Sequence, residues 1–276
     1  MLPHGGRRAK LGAGWSKITR QLWSNRQVRK ADRCIGRKPV GYLVLNRFRS
    51  LFDGVLYRHR DSTLGDSVAW RLPEDLYALH RSARLNALID SGERVINLRN
   101  SLRGIKSRRG DATFGEVVPH TLTSIAPGFV VHRGEIATVE IGTEVKILAK
   151  AMIKQIDRVI GDLARQAENF HKAGGNPICV GIVGVNYADR YTSVEGDKFW
   201  PTNGQNHKHP LQEAAEAENR LMLTARDPFD GFIVLRFRAR NEPPFLFEWV
   251  NEEQTAADYG AVLTRILRKY EAKFLM

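Results

Sequence analysis

The chain has 276 residues, 42% hydrophobic and 26% charged, which supplies apolar material for one or two globular domains and argues against wholesale disorder. Its net charge of +13 is concentrated at one end, because residues 1–50 hold 13 basic side chains and a single acid, Asp32. Two cysteines, Cys34 and Cys179, exclude a disulfide framework, and there is no apolar run of about 18 residues to form a membrane-spanning helix.

Residues 1–60 read as a basic, flexible N-terminal arm, broken by Gly5, Gly6, Gly12, Gly14 and Gly36. Such an arm attracts polyanions, DNA or RNA first, although a solubilising extension would look the same. The N-terminus lacks the apolar centre of a secretory signal, so a reducing, cytoplasmic setting is expected. Residues 61–276 read as one α/β domain.

A helix is predicted over 73–91, opened by Pro73, Glu74 and Asp75, and a second over 93–103. A basic loop, Lys106 to Asp111, precedes a short strand from Thr113 to Val118. Phe129 to His132 reads as extended, and Arg133-Gly134-Glu135 as a turn. Ile136 to Leu148 is the strongest strand. Alternation there puts Val139, Ile141, Val145 and Ile147 on one face and Glu140, Gly142, Glu144 and Lys146 on the other.

An amphipathic helix over 149–172 follows, carried by Met152, Ile156, Val159, Leu163 and Phe170 and stopped at Gly174-Gly175. Ile178 to Val185 reads as a buried strand parallel to an earlier one. Residues 186–210 read as a long loop. A helix over Leu211 to Ala225, strands at Phe232–Phe237 and Phe245–Val250, and a helix over 256–274 complete a mixed central sheet flanked by helices.

The chemistry points to Glu144-Val145-Lys146. Side chains two apart in a strand share a face, so an acid and an amine converge there. A carboxylate offers hard oxygens to Mg²⁺ or Mn²⁺, and an ammonium can orient a water or offset phosphate charge. A paired, solvated strand face also contains Glu-x-Lys. Lys150, Lys154 and Arg158 recur every four residues and, with Lys106, Arg108 and Arg109, form the expected nucleic-acid contacts. An ion-paired helix face is the alternative for that stripe. His207 and His209 lack the partners of a zinc set. Gly181 and Gly184 lack the third glycine of a dinucleotide fingerprint, so no nucleotide cofactor is expected.

The run Pro127-Gly128 … Glu144-Val145-Lys146, then an amphipathic helix and a buried strand, resembles the PD-(D/E)xK nucleases, the restriction-endonuclease-like superfamily. The resemblance covers about residues 93–185. It implies an α-β-β-β-α-β core, a metal-dependent endonuclease acting on DNA, a restriction or defence setting, Glu144 as metal ligand, and Lys146 serving the attacking water. It also implies that the Val145 carbonyl could ligate the metal. A homodimer is compatible. The pattern is broken where Gly128 replaces the Asp that usually follows Pro. Replacement acids are Glu116, Asp111, Glu140 and Glu135. Glu116 and Glu140 are preferred, because Asp111 and Glu135 lie in predicted loops. The alternative is a catalytically inactive nucleic-acid-binding protein on the same fold.

Overall fold

A computed structural model describes residues 41–58, 61, 63–98, 110–172, 175–193, 199–200 and 210–275. Most of the predicted basic arm, the loop bearing Lys106, Arg108 and Arg109, and His207 and His209 lie outside the described residues. The arm was expected to run to residue 60, but helix α1 (Leu43–Arg49) buries Val44, Leu45 and Phe48. Its apolar spacing of three and four residues gives it a core-facing side, so the packed body already includes Gly41 onward.

The predicted helix over 73–91 is preceded by α2 (Thr63–Ala69) and splits into α3 (Arg71–Ala78) and α4 (Ala83–Asp90). The break falls at His80, whose φ of 49° is incompatible with a continuing right-handed helix. Ser82 caps α4 by accepting the Leu85 N–H. Two buried acids on α3 reach in different directions. Glu74 accepts the N–H groups of Val130 and Val131. Asp75 accepts those of Leu43 and Val44 together with the Tyr259 hydroxyl, and burial pushes its carboxyl up to about 6.

The predicted helix at 93–103 is corrected: Arg94–Asn97 is strand β1, antiparallel to β2 (Ala112–Val117). The apolar pair Val95-Ile96 suits either state locally, and long-range pairing decides it. Phe129 to His132 is not a strand. The turn at Gly128 (φ 75°) and the bonds to Glu74 hold that segment, while Arg133–Gly134 forms β3, parallel to β1. Strand β4 (Ile136–Leu148) keeps its predicted bounds and is antiparallel to β2. Helix α5 (Met152–Lys172) then returns the chain to β5 (Ile178–Asn186), parallel to β4 as expected.

Short strands β6 (Tyr191–Thr192) and β7 (Phe199–Trp200) pair with each other. Helix α6 (Pro210–Thr224), β8 (Gly231–Ala239), β9 (Phe247–Trp249) and α7 (Glu252–Phe274) end the fold. Strand β8 is parallel to β5, and β9 antiparallel to β8. Among the described residues the seven-stranded mixed sheet runs β3-β1-β2-β4-β5-β8-β9.

Strand β5 shows why the sheet is covered on both sides. Ile178, Val180 and Ile182 join the core with α1, α3 and α7, while Cys179, Val183 and Val185 join the core with α5 and α6. Every β5 residue is buried, as the continuous apolar run requires of a central parallel strand. No helix among the described residues is long and apolar enough to cross a membrane.

Candidate active site

Strand β2 begins at Ala112, opposite Thr143, so among the described residues 144–148 of β4 are paired on the β5 side only. Beyond that point the β4 edge borders a cavity of about 540 Å³. Leu64 and Gly65 of α2 line one wall, and Gln155, Arg158 and Asp162 of α5 another. Asp111, Lys146 and Lys150 also line it.

Asp111 sits where β2 would otherwise continue. Its Oδ2 accepts the Val145 N–H at 2.6 Å, so a side chain satisfies an amide that the strand leaves unpaired. Gly65 lets α2 come close: a Cβ there would lie only 3.2 Å from Asp111 Oδ2. Burial and the negative charge of Glu144 push the Asp111 carboxyl up to about 8, against the Val145 amide and Lys146, and Asp66 adds to the rise.

Glu144 is 4% exposed. Its Oε1 lies 2.5 Å from Lys146 Nζ, and among the described residues its buried Oε2 has no hydrogen-bond partner. Burial raises its carboxyl, opposed by Lys146 and the Asp111 backbone N–H. Burial alone would lower the Lys146 ammonium, but Glu144, Asp111 and Asp162 outweigh it and hold it raised. Lys146 therefore keeps its proton at neutral pH and acts as a fixed cation and donor.

The acid brought to Glu144 is thus Asp111, named among the candidates but not preferred. Glu140, expected on the Glu144 face, is corrected. The register between β2 and β4 slips between Phe114 and Gly115, so Glu140 is an extra residue in a bulge. Gly142 faces Phe170 of α5, whereas Glu140 bonds the Tyr270 hydroxyl of α7 on the opposite face and Arg94 Nε at 2.9 Å. Glu116 is exposed on β2, opposite Arg94. Its charge acts on Glu140, and no described contact joins it to Glu144. The expected Glu144, Glu116 and Glu140 set is therefore not one site.

Pro127-Gly128 is also elsewhere. The Gly128 carbonyl accepts from Arg71, beside the Arg71 and Arg133 guanidiniums stacked on Phe129. The helical stripe is partly corrected. Lys150 precedes α5, which begins at Met152 after Ala151 takes a φ of 45°, and its ammonium bonds Ser193. Arg158 lines the cavity and donates to Gln155, which in turn donates to the Lys150 carbonyl. Lys154 is exposed and is not a lining residue. A register-dependent site of this kind has no local signature. The one sequence signal for Asp111 is its place directly before a strand that must pair with β4.

Among the described residues, no group of three or more His, Cys, Asp or Glu side chains could cage a metal ion. The donor set is two carboxylates, Asp111 and Glu144, with a carboxylate oxygen that lacks a partner. This fits a small hard cation that retains waters, because Mg²⁺ is usually held by one or two carboxylates. Compared with models of known protein families, the chain matches none, and no curated protein matches it either.

Proposed function

We propose that this chain is a divalent-cation-dependent nuclease that hydrolyses DNA phosphodiesters at the β4 edge. One observation carries the reading: the half-buried Asp111 and a protonated Lys146 line one cavity, and next to them the buried Glu144 pairs with Lys146 through one carboxylate oxygen while, among the described residues, its other oxygen has no partner. Burying such oxygens without compensation costs several kcal/mol (roughly 2–7 for a polar group), which a bound cation would offset.

The order α4, β1, β2, β4, α5, β5 also supports the PD-(D/E)xK resemblance, with β3 as a two-residue addition. In this reading Asp111, at the entrance of the second long strand, replaces the acid missing after Pro127. The site is then not degenerate on account of Gly128.

Asp111 and Glu144 would hold Mg²⁺ or Mn²⁺, with the Val145 carbonyl a further oxygen in the same turn of strand. When bound, the cation would supply Lewis-acid stabilisation of phosphate charge and a more acidic water. Lys146 stays charged, so its role is to orient the attacking water and to counter the charge that builds on the phosphate. Arg158 and Lys150 border the same cavity and would hold the flanking phosphates. The basic N-terminal sequence adds nonspecific attraction to the polyanion.

The test is cleavage of linear and supercoiled DNA with Mg²⁺ or Mn²⁺ by the native chain and by Lys146→Ala. Cation-dependent cleavage that is lost in Lys146→Ala supports the proposal. DNA binding without cleavage supports the inactive binding protein instead.

A further inference from the structure

A second cavity, of about 500 Å³, lies at the C-terminal ends of β5 and β8. Its size falls within the roughly 300–1,000 Å³ of small-ligand sites. One part of its lining is apolar: Tyr187, Leu211, Pro244 and Leu246. Leu246 is 66% exposed and Leu211 42%, so the described residues leave this apolar surface uncovered.

The polar part holds three arginines. Arg190 is paired with Glu242 and Arg240 with Asp189, so these two pairs neutralise themselves and stiffen the rim. Arg238 is exposed and makes no hydrogen bond or ion pair among the described residues, although Glu248 stands opposite it in the β8–β9 ladder. An unpaired guanidinium beside an apolar wall matches a phosphate beside a base.

The two cavities share a frame. Asn186 donates to the carbonyls of Ala149 and Ala239, tying the end of β5 to the ends of β4 and β8. Asn241 accepts the N–H of Tyr57, which lines the first cavity, and donates to Thr192, two residues beyond Arg190 of the second. Lys150 of the first cavity bonds Ser193, next to Thr192. The adjacent parallel strands β4, β5 and β8 all end at this edge, where ligands of open α/β sheets are bound.

We infer that the second cavity is a nucleotide subsite: one base of a single DNA strand rests against Tyr187, Pro244 and Leu246 while a phosphate meets Arg238. The choice of DNA rests on the proposed nuclease reading, but the readout does not depend on cleavage.

The probe is a fluorescein-labelled oligothymidylate of about 15 nucleotides, titrated with the full chain by anisotropy in chelator. Arg238→Glu is expected to weaken binding roughly tenfold and to reduce the slope of log affinity against log salt by about 0.7, the value for one single-strand phosphate contact. Arg238→Lys keeps the slope. Leu246→Asp weakens binding by roughly tenfold through lost apolar contact with the base and added repulsion of the phosphates. Thermal melting of all three should match the native chain, since both side chains are exposed. Native-like binding by Arg238→Glu, or no binding by the native chain, overturns the inference. The same oligonucleotide with Mg²⁺ then separates the readings. Arg238-dependent binding with no cleavage removes the nuclease and leaves the subsite, whereas cleavage with Arg238-independent binding does the reverse.

Discussion

Glu140 and Glu144 stand four residues apart on β4 and are 3% and 4% exposed, yet their surroundings differ. Glu140 is bonded by Tyr270 and Arg94 and locks α7 and β1 to the sheet. Glu144 has one oxygen on Lys146 and, among the described residues, no partner on the other, and the second carboxylate near it, Asp111, lines an open cavity with Lys146. Burial alone does not mark a functional acid. What separates the two is whether the buried charge is already answered by the protein.

The sharpest way to break this contrast is to exchange the consequences of mutation. Glu144→Gln should lower cation-dependent cleavage by about 1,000-fold, equivalent to roughly 4 kcal/mol of barrier, while changing the melting temperature less than Glu140→Ala does, because relief of the repulsion with Asp111 offsets the lost ion pair with Lys146. A variant that melts early but cleaves normally would refute the assignment. Glu140→Ala should do the opposite. It leaves Arg94 and the Tyr270 hydroxyl without their partner and should cost about 3 kcal/mol in denaturant unfolding, with cation affinity unchanged by calorimetry.

A smaller effect concerns pH. The Asp111 carboxyl is raised from 3.8 to about 8 by burial and the facing Glu144. An acid with a raised folded value gives its full stability below the unfolded value and loses it as pH rises through the folded one. The melting temperature in chelator should therefore fall between pH 6 and about pH 9, by less in Asp111→Asn. Mn²⁺ should raise it more at pH 8 than at pH 6, since cation binding must displace the proton. The smallest effect is Glu116→Ala. As an exposed side chain apart from Glu144, it should change stability by less than about 0.5 kcal/mol and leave cleavage intact.

Much of this architecture is legible in the sequence where periodicity is strong. Strand Ile136–Leu148, the apolar face of α5 and the buried parallel strand β5 follow from alternation, helical spacing and a β-branched run. Glu144 and Lys146 share a face for the same reason. What escaped is long-range. The side chain of Glu140 is turned by a bulge that exists only in the pairing with β2. Val95 and Ile96 fit a helix until β2 supplies their partners. Asp111 looks like an ordinary loop acid because its value depends on where β2 begins against β4, a register that no local window contains.

The bond from the Val145 amide to Asp111 ties the site to the pairing itself. A slip of β2 by one residue would withdraw Asp111 both from that amide and from the neighbourhood of Glu144. A misregistered chain would then lack the carboxylate pair altogether, so correct strand pairing and assembly of the pair are a single event.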